Sequence, residues 1–140
     1  MINNDVLRSI RYMLDLSDNK VIEVIQLADP GFAIDKDDVR AFLLREDEPG
    51  YQACTDREMA HFLDGLVIHR RGRDESLPPR PVEKRINNNV VLKKLRVAFQ
   101  LTDVDMHKAF ADAGFPVSRP ELSALFRQPG HKNFRLCGDQ

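Results

Sequence analysis

The stretch NNDVLRSIRYMLDLSD at residues 3–18 is written again as NNVVLKKLRVAFQLTD at residues 88–103. Asn3, Asn4, Val6, Leu7, Arg11, Leu16, Asp18 and Ala28 fall on the identical residues Asn88, Asn89, Val91, Leu92, Arg96, Leu101, Asp103 and Ala113. When two residues around Asp29 and Pro30 are dropped, Gly31, Phe32, Ala41, Cys54 and Asp56 meet Gly114, Phe115, Ala124, Cys137 and Asp139, and the register holds to Gln140. A duplicated unit constrains the fold more than any single motif does. Both copies must form the same elements, and two short units can together complete a core that neither closes alone.

The copies serve as a two-row alignment, in which a position that stays apolar while its identity changes is constrained by burial. Val6/Val91, Leu7/Leu92, Ile10/Leu95 and Leu14/Phe99 recur at helical spacing behind an asparagine expected as cap. Ser17 or Thr102 then caps a second helix, whose stripe is Val21/Met106, Val24/Ala109, Ile25/Phe110 and Ala28/Ala113. The helix is expected to stop at Gly31 or Gly114 in a left-handed conformation. Asp35 and the capping box Ser118-Arg-Pro-Glu121 open a third helix with Val39/Leu122, Phe42/Leu125 and Leu43/Phe126 inside. A further capping box, Thr55 to Glu58, opens a fourth, with Met59, Phe62, Leu63, Leu66 and Val67 as its apolar stripe and an end near Arg70.

The second copy reaches CGDQ, the counterpart of CTDR, without a fourth helix. The expected fold is therefore all-α, with two tandem repeats of a small multi-helix unit, the second lacking its last helix. The expected division is 1–71 for the first repeat, 72–86 for a Pro-rich basic connector and 87–140 for the incomplete second repeat. If the fourth helix is missing, the second copy leaves apolar surface uncovered, which in a water-exposed protein marks an interaction site.

Charge adds a second asymmetry beneath a net value of −1. Residues 1–68 carry 7 basic against 14 acidic side chains, residues 69–96 carry 9 against 3, and the remainder is balanced. The basic band can meet phosphate or an acidic partner, but an internal attraction to the acidic first half is the preferred reading. No run approaches the roughly 18 apolar residues of a membrane span, so no membrane partner is expected. The opening MINNDVLRS lacks the basic start and apolar stretch of a secretory signal, and two cysteines make no disulfide scaffold, so a cytoplasmic location is expected.

Among polar residues, Arg11 and Arg96 stand beside apolar stripes, each seven residues before an aspartate. Their guanidinium forks suit a phosphate or carboxylate ligand, although pairing with Asp18 and Asp103 is the preferred reading. Asn4 and Asn89, with Asn3 and Asn88, are the other candidate polar contacts, for which helix capping suffices. A nucleic-acid reading would draw on Arg70, Arg71, Arg73, Lys84, Arg85, Lys93 and Lys94 in the 69–96 band, with the short capped helices as helix-turn-helix-like units. Against it stand a pI near 6.4 and no interleaved aromatic platform. Cys54 and Cys137 lie in no CxxC, and His61, His69, His107 and His131 have no zinc spacing, so no metal is expected. No GxGxxG, P-loop, GxSxG or HExxH occurs, so neither a cofactor nor a catalytic residue is expected.

The repeated elements N-N-x-V-L-x-x-[IL]-R, [ST]-D, G-F and [YF]-x-x-C-x-D, with LLREDEPGYQACTD at 43–56 and ELSALFRQPGHKNFRLCGDQ at 121–140, resemble the YehS-like bacterial family of unknown function. The resemblance covers nearly the whole chain. It implies a small cytoplasmic bacterial all-α protein and carries no substrate, cofactor or catalytic residue. The expected function is a non-enzymatic interaction module that binds a protein partner or itself as a homodimer; the alternative is a nucleic-acid-binding regulatory protein using the 69–96 band.

Overall fold

A computed structural model describes residues 1–78 and 81–140; Pro79 and Arg80 of the expected connector lie outside the described residues. These residues hold seven helices and no strand: α1 Asn3–Leu14, α2 Asp18–Ala28, α3 Lys36–Leu43, α4 Asp56–Arg71, α5 Asn88–Ala98, α6 Asp103–Asp112 and α7 Arg119–Leu125. The protein is all-α. It divides into two compact units, Met1–Ile86 and Asn87–Gln140.

In the first unit, local signals start the helices where the pattern demands. Ser17 accepts from the Lys20 amide, while Asp35 with Asp38 and Thr55 with Glu58 close reciprocal capping boxes. Helix α4 then lies chiefly along α2, with α1 and α3 completing the unit. Val21, Val24 and Ile25 of α2 and Met59, Phe62, Leu63 and Leu66 of α4 are sealed between them. The two backbones come unusually close at Gly65. A methyl group there would lie 1.7 Å from the Val24 carbonyl oxygen, so only glycine fits.

The second unit repeats the first three helices, with caps that match at the third helix and are stronger at the first and second. Thr102 with Asp105 and Ser118 with Glu121 form capping boxes, and α7 packs on α6. After α7 the described residues 126–140 are turns and irregular backbone.

One local expectation is corrected. Helix α2 does not end on a left-handed glycine: Gly31 has no positive φ, and the Asp29 carboxylate accepts the Gly31 amide in a side-chain turn instead. Gly114 in the second copy does adopt φ 88°. The two residues inserted around Asp29 and Pro30 account for the difference, because they supply their own turn. Left-handed residues do recur at equivalent places, but between the first and second helices, at Asp15 (φ 52°) and Gln100 (φ 54°). There Asp15 terminates α1 by returning amide bonds to its last turn.

Candidate interaction face

The asparagine doublets do not cap their own helices. Helix α1 starts after Ile2 with no side-chain cap, and α5 is capped by Asn87, so Asn3, Asn4, Asn88 and Asn89 all lie inside the first turn. Their partners are distant in sequence. The Asn4 side chain donates to the carbonyls of Phe42 (3.0 Å) and Gln52 (2.9 Å) and accepts from the Cys54 amide (2.9 Å). Asn89 repeats this with Leu125 (2.9 Å), Arg135 (2.8 Å) and Cys137 (2.9 Å). Asn3 donates to the Cys54 carbonyl and to Asp56 at 2.8 Å, and Asn88 likewise to Cys137 and Asp139 at 2.8 Å.

The segment these side chains hold is itself pinned by the Gln52 amide on the Ala41 carbonyl, and by Arg135 on Ala124 in the second copy. The repeated N-N and C-x-D elements thus form one clamp, tying the end of the third helix and the loop after it to the first helix. An irregular segment whose backbone groups would otherwise be buried unpaired needs such donors and acceptors. Asp56 also accepts the Ile86 amide (3.2 Å), so the first unit's clamp anchors the far end of the linking segment.

Arg11 reaches Asp18 at 3.1 Å, and Asp18 also faces Arg40 at 3.7 Å. Arg96 pairs with Asp103, donates through Nε to the Leu101 carbonyl (3.2 Å), and lies over the Phe126 ring at 4.8 Å. Both arginines therefore bridge the turn between the first and second helices of their copies.

Cys54 is buried, and burial first, with Glu58 and Asp56 adding to it, pushes its thiol up to about 12. Burial and then Asp139 raise the half-buried Cys137 thiol as well. Such thiols are poor nucleophiles at neutral pH. Among the described residues no group of three or more His, Cys, Asp or Glu side chains is arranged to hold a metal ion.

The basic-band candidates are dispersed over several elements. Arg70 and Arg71 close α4, where cations offset the negative helix end. Arg73 donates to the Leu27 carbonyl. Lys84 and Arg85 are exposed in the linking segment; Lys93 lies exposed on α5 and Lys94 half-buried on the same helix.

The copies differ most where α4 would lie. In the first unit Phe32 is 8% exposed, its ring tilted at 43° against His61 (centroids 4.4 Å) and covered by the Arg57 guanidinium (5.1 Å), both from α4. Its counterpart Phe115 is 48% exposed. Leu7 and Ile10 are buried, whereas Leu92 and Leu95 are half-buried. On α6, Met106 remains buried like Val21, but Ala109 is exposed and Phe110 half-buried where their counterparts Val24 and Ile25 are sealed, and Ala113, just past the helix, is exposed where Ala28 is half-buried. The apolar stripe of α6 is thus less covered than that of α2, and Phe115 follows it in the chain. Nothing local in the sequence marks Phe115 as exposed; only its alignment with a ring gripped by α4 does.

The opposite flank of α6 carries a groove of about 480 Å³ lined by Asp103, Val104, His107, Arg119, Leu122 and Ser123. Its equivalent in the first unit is spanned by the Arg40–Asp18 pair, and Ser123 stands in place of that arginine.

Fold and clamp together define a tandem helical-repeat protein built on a duplicated asparagine–aspartate staple, with no helix among the described residues long and apolar enough to cross a membrane. The chain belongs to the family described as proteins of unknown function, DUF1456, whose profile matches residues 3–72 and 88–140, one segment in each copy. It is 44% identical over 140 residues to the uncharacterized protein YehS of Escherichia coli (strain K12), spanning 100% of this chain and 88% of that one. No solved structure matches it.

Proposed function

We propose that the chain is a cytoplasmic, non-enzymatic interaction module whose binding surface is the apolar face of α6, Leu92, Leu95 and Phe115 in the second unit. The observation that carries the reading is the contrast between sequence-equivalent rings, Phe32 at 8% exposure and Phe115 at 48%. Apolar surface of this kind lowers its free energy by leaving water against a partner. The clamp side chains support the reading from the other direction, because Asn4 and Asn89 spend both amide hydrogens on backbone carbonyls of their own unit. That leaves the repeated polar residues committed to structure, and points the reading to the apolar side chains.

The test is light-scattering mass over a range of concentrations at low and high salt, together with capture from a bacterial extract, for the wild type and Phe115→Ser. Salt-indifferent self-association, or a captured protein, lost in the variant supports the proposal. A wild-type monomer capturing the same set as the variant overturns it, as does a peak whose nucleic acid is stripped by salt.

A further inference from the structure

We infer that the groove between α6 and α7 binds a small zwitterion of the amino-acid class, an ammonium and a carboxylate carried on one short apolar skeleton. The groove lies within the second unit, on the flank of α6 away from the surface proposed above. It does not depend on what covers α6 elsewhere. In the first unit, where α4 is in place, the equivalent Asn19, Lys36 and Arg40 are still exposed.

The duplication shows how the groove is opened. In the first unit Asp18 is a shared acceptor, with Arg11 on one carboxylate oxygen (3.1 Å) and Arg40 on the other (3.7 Å). In the second, Arg96 pairs with one oxygen of Asp103, and Ser123 stands where the arginine facing the other would be. The exchange removes a cation together with its bulk. The position of Ile22 holds His107, whose Nε2 is buried with no hydrogen-bond partner among the described residues. The position of Lys36 holds Arg119, which lines the groove without a hydrogen bond or ion pair to the described residues. A buried polar atom of this kind stays unsatisfied until a group in the groove supplies its partner.

These exchanges define the ligand's chemistry. Position 123 faces Asp103 as Arg40 faces Asp18, while His107 and Arg119 each stand one helical turn along their own helices. The acidic and basic ends of the groove are thus about 5 Å apart. A ligand ammonium at Asp103 takes the place of the Arg40 cation, and a carboxylate fits the guanidinium fork of Arg119. His107 Nε2 and the Ser123 hydroxyl complete the polar set, and Val104 and Leu122 flank the skeleton. A lone anion would face Asp103 and a lone cation Arg119, so neither half of the ligand satisfies the groove. Its volume of about 480 Å³ lies within the range of small-molecule sites.

The probes are valine, leucine and methionine, titrated singly into the full chain with amide chemical shifts recorded. Leucine is compared with 3-methylbutylamine and 4-methylpentanoate, which keep its skeleton but only one of its charges. Saturable shifts on residues 103–107 and 119–123 are expected, with each half-ligand at least about tenfold weaker than leucine. Arg119→Gln weakens leucine at least about tenfold without weakening the amine. Ser123→Arg restores the first unit's bridge and abolishes binding, with a urea midpoint no lower than the wild type's. Absence of saturable shifts with all three amino acids overturns the inference, as does a half-ligand that binds as tightly as leucine. Undiminished leucine binding by Ser123→Arg or Arg119→Gln overturns it as well, because the ligand would then sit elsewhere.

Discussion

Replacing Gly65 by alanine sets two effects of opposite sign against each other. Helix propensity alone favours the change, since alanine in a helix interior is better than glycine by about 1 kcal/mol. Packing opposes it. The new methyl would stand 1.7 Å from the Val24 carbonyl oxygen, 2.7 Å from its carbon and 3.3 Å from Val24 Cγ1. The nearest of these is backbone, so no rotamer change relieves it. Restoring an ordinary contact of about 3.5 Å requires α4 to withdraw from α2 by more than ~1.5 Å, which forfeits much of the dispersion across a sealed interface. Overpacking of this severity costs about 4 kcal/mol, at or beyond the upper end of the usual range. The net is destabilisation by about 3 kcal/mol, or a fall in midpoint temperature on the order of 10–20 °C for a unit of this size. Far-UV circular dichroism during urea and thermal unfolding reads it directly, with Gly130→Ala as control because nothing lies near that position. A Gly65→Ala protein as stable as the wild type, or more stable, would refute the claimed approach of α2 and α4.

Removing the clamp by Asn4→Ala leaves two carbonyls and the Cys54 amide without their partner in a buried site, and a loss of about 3 kcal/mol is expected in the same unfolding assay. Gln100→Gly relieves a left-handed backbone at φ 54° and is expected to stabilise the chain by about 0.5–1 kcal/mol, measured as a higher urea midpoint. Cys137 is expected to alkylate well before Cys54 in native protein, as read by mass spectrometry after brief iodoacetamide treatment. Because the fold raises the Cys54 pKa to about 12, its contribution to stability is whole below the ordinary thiol pKa and is lost as pH rises towards that value; unfolding midpoints should fall on the alkaline side and not near neutrality.

Much of the helical frame was legible because its determinants are local. Ser17, Asp35, Thr55, Thr102 and Ser118 each cap within three residues of themselves, and the stripes on α2 and α4 follow helical spacing. The Arg11–Asp18 and Arg96–Asp103 pairs were readable for the same reason, since both partners flank one turn. The clamp was not readable as a clamp. Asn4 meets Phe42, Gln52 and Cys54 across 38 to 50 residues, and no spacing rule carries that distance. Its trace in the sequence was the joint repetition of N-N and C-x-D. Gly65 left a fainter signal, a glycine inside the strongest apolar stripe, where propensity argues against it unless two backbones must touch. Of the candidate face, the sequence aligns α6 with α2 and Phe115 with Phe32. How far each side chain is covered depends on how α4 grips Phe32, a property of packing.

Helices α2 and α6 descend from the same pattern and both open on a hydroxyl cap, Ser17 or Thr102, so their amide protection compares a covered helix with an uncovered one. Hydrogen exchange on dilute protein tests the open face most directly. The account predicts that amides around Val24 and Ile25 exchange orders of magnitude more slowly than those around Ala109 and Phe110. Equal protection of the two helices would contradict it, because α6 would then be covered in the free chain and there would be no open face to fill.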